Sequence, residues 1–156
     1  MNSLILTLDA GAGCCLPIAY QQLTQGALYA AWRGSYPQLH DEGFAGDGQT
    51  FRLFTFGPLE GRYRVQGNEI TFTDLVRLEV RSPVEDLLYA LGKSLTENSA
   101  LRLGRCVLPL RDLYSEDHYW FAAPLPVRMV SPLTLHKSLP GGKTLFLRPD
   151  DDAFAA

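Results

Sequence analysis

Positive charge is in short supply in this chain, and lysine most of all. Fourteen cations stand against seventeen acids, a net charge of −3, and only three of the fourteen are lysine. That balance argues against indiscriminate nucleic-acid binding, which rests on neutralising phosphates. Specific binding depends on local patches rather than on the total. Cysteine is also sparse: three residues, two of them adjacent at Cys14-Cys15. An odd, clustered count excludes a disulfide framework and leaves reduced thiols in a cytoplasmic protein as the expectation. No CxxC or HxxxH spacing offers a zinc site, so neither metal nor cofactor is expected. No run of about 18 apolar residues occurs, so no membrane span is expected. The N-terminal Met1-Asn2-Ser3-Leu4-Ile5-Leu6-Thr7-Leu8 lacks the basic start of a signal peptide and reads as a strand.

What is present suits one ordinary domain: 156 residues, 46% of them hydrophobic. Residues 3–8 form a short apolar strand. Pro17 opens a helix to about Arg33, with Tyr20, Leu23, Ala27 and Ala31 as its apolar stripe and Gly34-Ser35-Tyr36-Pro37 as its stop. Phe51 to Phe56, apolar on both faces, reads as a central strand. A hairpin follows, Arg62 to Val65 and Ile70 to Phe72 around Gln66-Gly67-Asn68. Leu75 to Arg81 alternates, with Val76, Leu78 and Val80 on one side and Arg77, Glu79 and Arg81 on the other. That pattern predicts a sheet with one buried and one polar face. Ser82-Pro83-Val84-Glu85 is a capping-box start for a second helix, striped by Val84, Leu87, Leu88, Leu91 and Leu95. Cys106 to Leu113 is a further strand, and Pro109 inside it predicts a sheet edge.

The order strand, helix, strand, hairpin, strand, helix, strand is the β-α-β-β-α-β ferredoxin-like pattern of the α+β class. An inserted β-hairpin and extra short strands between His118 and Phe146 complete it. The domain spans 1–149. Asp150-Asp151-Asp152 begins an acidic tail, 150–156, or a linker to a second ferredoxin-like domain.

One strand-helix-loop-strand unit holds a phenol at Tyr29, an imidazole at His40 and a guanidinium at Arg52. Such a set can cut RNA without a metal. Histidine titrates near neutrality and can serve as acid or base. Arginine keeps its proton and can only stabilise charge. Arg62 and Arg64 on the hairpin, Arg77 and Arg81 on the polar strand face, and Arg128 beyond them are candidate phosphate contacts.

Five segments in order carry a resemblance: LPIAYQQLTQGALY (16–29), LHDEGF (39–44), FRLFTF (51–56), RSPVEDLLYAL (81–91) and MVSPLTL (129–135). Together they resemble the N-terminal half of the CRISPR-associated repeat-processing endoribonucleases, the Cas-six type of the RAMP superfamily. The resemblance implies a ferredoxin-like fold and metal-independent cleavage of precursor CRISPR RNA, leaving a 2′,3′-cyclic phosphate. It implies that Tyr29 holds the catalytic tyrosine position, His40 the general acid/base position, and Arg52 the place where several members have a lysine. CRISPR repeat RNA is the implied partner. A second ferredoxin-like domain, CRISPR effector subunits or a second copy of the chain are the implied protein partners. The alternative is a noncatalytic CRISPR RNA-binding protein, or an interaction module that needs a second half or partner.

Overall fold

The computed structural model describes residues 2–37, 44–46, 49–51, 53–117, 136–139 and 143–148. The chain divides into two compact units, Met1–Trp120 and Phe121–Ala156. In the first unit the elements run β1 (Asn2–Pro17), α1 (Gln21–Trp32), β2 (Phe44–Gly46), β3 (Gln49–Phe51), β4 (Thr55–Phe56), β5 (Glu60–Gln66), β6 (Glu69–Ser82), α2 (Glu85–Asn98), β7 (Ala100–Leu103) and β8 (Cys106–Asp117). The second holds one described hairpin, β9 (His136–Leu139) with β10 (Lys143–Phe146). Arg128, His118 and the acidic tail lie outside the described residues.

Strands β4-β6-β1-β8-β7 form one antiparallel sheet in that order, with β5 also on β6. The central order β8-β1-β6-β4 is that of a ferredoxin-like sheet, and the α+β fold class is as expected. Alternation does the work. Leu4, Leu6 and Leu8 of β1 and Val76, Leu78 and Val80 of β6 are buried on the face that carries Leu87, Leu91 and Leu95 of α2. Gly67, with φ of +59°, makes the turn between β5 and β6.

The ladders slip at one level across four strands. The β5/β6 register shifts between Gly61 and Arg62, the β1/β6 register after Asp9, and the β1/β8 register between Thr7 and Leu8. Bulges bend a strand and add twist, so aligned bulges curl the whole sheet along one line. Asp9 pins that line. Its carboxylate accepts hydrogen bonds from Gly11 N–H at 2.7 Å and from Arg111 Nε at 3.0 Å.

Several expectations change. The first strand continues to Pro17, because β6 is long enough to pair Cys14 through Pro17 with Phe72 through Glu69. Pro17 therefore ends a strand, and α1 starts four residues later. Tyr20 of the expected stripe is buried just ahead of the helix, but within it the buried residues are Thr24, Leu28 and Trp32, and Leu23, Ala27 and Ala31 are half-buried. Phe51 to Phe56 is not one central strand. Leu53 has φ of +45°, which breaks it, and β4 pairs only Val80 and Arg81 at the sheet edge. Ser82 does not build the expected capping box with Glu85. Its hydroxyl accepts from Val84 N–H at 2.9 Å and donates to Leu53 C=O at 2.7 Å. The short β7 lies beyond β8, so the strand carrying Pro109 is not the edge there. Pro109 is tolerated because it is the last rung of the β7 ladder, opposite Ala100. The second sheet face is polar but not open: Ser3 and Ile5 on it are fully buried, and Arg77, Glu79 and Arg81 are half-buried.

Candidate functional site

Of the three candidate catalytic residues, Tyr29 is described, and His40 and Arg52 lie outside the described residues. Tyr29 projects from the middle of α1 and is half-buried. Its ring meets Phe54, which also packs on Trp32 with centroids 4.6 Å apart. Trp32 is in turn fixed by donating from Nε1 to Leu87 C=O at 2.7 Å. The helix face, the segment entering β4 and α2 are thus held as one aromatic cluster. Phe54 stands two residues past position 52 in the sequence.

The β2–β3 hairpin makes the second connection. Phe44 pairs with Phe51, Ala45 with Thr50 and Gly46 with Gln49. The chain enters this hairpin four residues after position 40 and leaves it one residue before position 52. The sequence carried a signal for it that was passed over. Asp47-Gly48, between the paired Gly46 and Gln49, is the dipeptide that marks two-residue hairpins.

The candidate phosphate contacts differ in what they have to give. Arg77 donates to Glu60 at 3.1 Å and Arg81 to Glu79 at 2.7 Å. Burial pushes the Glu79 carboxyl up, but the hydrogen bond and charge of Arg81, with Arg77 and Ser3, outweigh it and hold the carboxyl below its ordinary value. Glu60, Arg77, Glu79 and Arg81 thus alternate in sign along the face and compensate one another. Arg62 makes a loose pair with Asp74 at 3.5 Å, with both side chains largely exposed. Arg64 is exposed, and among the described residues no ion pair engages it. The same holds for Arg33 at the end of α1 and for Arg102 and Arg105 around the β7–β8 turn. Arg102 was readable in advance, since it alternates with the buried Leu101 and Leu103. It lines a groove of about 690 Å³ whose other wall is the small-residue face of α1, Gly26, Ala27 and Ala30.

The buried Cys14 is a poor nucleophile. All three are free thiols. Burial, and then the hydrogen bond and charge of Cys106, push the Cys14 thiol up to about 12. Among the described residues no three His, Cys, Asp or Glu side chains gather in a metal-binding group. No described helix is long and apolar enough to cross a membrane.

No family model matches the sequence, and no curated protein matches it significantly. Solved structures do. A CRISPR associated protein Cas6 superposes on 98% of this chain and 64% of its own, with a TM-score of 0.67 and 22% identity. A RAMP protein binding different RNA substrates gives a TM-score of 0.72 at 16% identity, over 99% of this chain and 65% of its own. A Cas6-related protein from Pyrococcus furiosus gives 0.72 at 14% identity, over 99% and 65%. The chain shares the fold of these proteins. It spans 64–65% of the length of these solved structures.

Proposed function

We propose that this chain binds precursor CRISPR RNA and cuts it within the repeat as a metal-independent endoribonuclease. The observation that carries the reading is the pairing of Phe44 with Phe51, together with the Tyr29–Phe54 contact. They support a reading in which the phenol, the imidazole and the guanidinium serve one site, on a fold like that of Cas6.

The chemistry requires three tasks. The 2′-hydroxyl loses its proton and attacks the adjacent phosphorus, the phosphorane's charge is offset, and the departing 5′-oxygen gains a proton. A P–O2′ bond forms and the P–O5′ bond breaks, giving a 2′,3′-cyclic phosphate and a 5′-hydroxyl. His40 supplies the acid/base function, for which a positioned side chain contributes roughly 10²–10⁴ in rate. Tyr29 orients the 2′-hydroxyl or donates to a non-bridging oxygen, and Arg52 offsets the developing charge. Arg62, Arg64, Arg77, Arg81 and Arg128 form the phosphate-contact set, with uncompensated Arg64 contributing most among those described.

The test is incubation of labelled repeat RNA with the chain in chelator, followed by end-group analysis. Cyclic-phosphate ends, and no cutting of an RNA with a single 2′-deoxynucleotide at the scissile position, support the reading. Binding without cutting replaces it with the noncatalytic RNA-binding role, and neither binding nor cutting removes both.

A further inference from the structure

A groove of about 1040 Å³ runs between α2 and the C-terminal half of β8, and RNA cleavage does not account for it. Its floor is apolar, from Leu88, Gly92 and Leu113. Helix and sheet pack closely there: a Cβ at Gly92 would stand in ordinary van der Waals contact with Leu113 Cδ2, at 3.6 Å. Tyr89 stands beside the floor with 76% of its surface exposed.

Two features say what covers it. From Arg111 to Asp117, β8 hydrogen-bonds to β1 along one edge and, among the described residues, to no strand along the other. A free edge offers a row of main-chain donors and acceptors. The charged lining is Glu85, Glu97 and Asp117 against a single Lys93, which lies 4.0 Å from Glu97. We propose that this groove docks an extended, basic segment of a protein partner, laid along β8 as an additional strand. Alternate side chains of such a segment would enter the apolar floor, and lysines or arginines between them would meet the carboxylates. Tyr89 is the kind of exposed aromatic that anchors an interface. RNA is repelled by the same carboxylates.

The experiment titrates the isotope-labelled full chain with a synthetic peptide alternating lysine and valine, read by amide chemical shifts. A peptide alternating glutamate and valine is the control. The expected shifts cluster at Leu113 to Asp117, Tyr89 and Gly92, and binding weakens with added salt. Glu97→Lys and Tyr89→Ala should each weaken the lysine peptide by about tenfold, or 1.4 kcal/mol. The proposal is overturned by equal binding of both peptides, by shifts scattered over the surface, or by no binding. It is also overturned if repeat RNA moves the same amides, or if sedimentation shows the chain pairing with itself and Tyr89→Ala abolishes that pairing.

Discussion

The ring of Tyr29 meets that of Phe54 edge to face, with centroids 5.5 Å apart and planes at 88°. The side chain therefore packs as well as carrying a phenol, and the two roles separate in Tyr29→Phe. The ring contact with Phe54 survives in that variant. Single-turnover cleavage of repeat RNA should fall roughly ten- to a hundredfold, the loss of one hydrogen bond to a charged group at about 1.5–3 kcal/mol. An unchanged rate would remove Tyr29 from the chemistry.

Trp32 fastens the same cluster to α2. Trp32→Phe removes the buried bond to Leu87 C=O and leaves a small void. Chemical denaturation should show a loss of about 1–3 kcal/mol.

The arginines make a graded prediction. Arg64→Ala should weaken repeat-RNA binding across sequences and reduce the salt slope by about 0.7 if the contacted RNA is single-stranded. Arg77→Ala should change the slope less, because Glu60 already compensates that charge. Fluorescence anisotropy at several salt concentrations checks both.

Asp9 makes the pH dependence specific. The hydrogen bond from Arg111, then that from Gly11 N–H, holds its carboxyl below the ordinary 3.8. A depressed folded pKa stabilises above the unfolded value, and that stabilisation is lost as pH falls through the folded one. Asp9→Asn should therefore flatten the fall in melting temperature below about pH 4 and also lower stability at neutral pH. Melting curves from pH 2 to 7 decide it.

Alternation and apolar stripes were legible where one force acted alone. Val76, Leu78 and Val80 are buried as the pattern required, and so are Leu87, Leu91 and Leu95. The misreadings came where a residue could serve two ends. Pro17 suits a helix start and a strand end alike, and only the long partner strand β6 decides between them. Phe51 to Phe56 looked central because both faces are apolar, yet Phe54 spends its ring on Tyr29 and Trp32. Nothing local marks Leu53 as left-handed; the Ser82 hydroxyl at its carbonyl comes from 29 residues away. The candidate site was legible as a set of residue types on consecutive elements. The contacts that bear on their convergence, the Phe44–Phe51 pairing and the aromatic cluster, were not.

Single-turnover cleavage of repeat RNA by His40→Ala, Arg52→Ala and the double variant tests that convergence most directly. Groups that act as one unit on one phosphodiester lose far less together than the product of their separate losses. The expected result is a drop of roughly 10²–10⁴ for His40→Ala, with the double variant little slower than the worse single. Wild-type rates in both singles, or losses that simply multiply, would contradict the account.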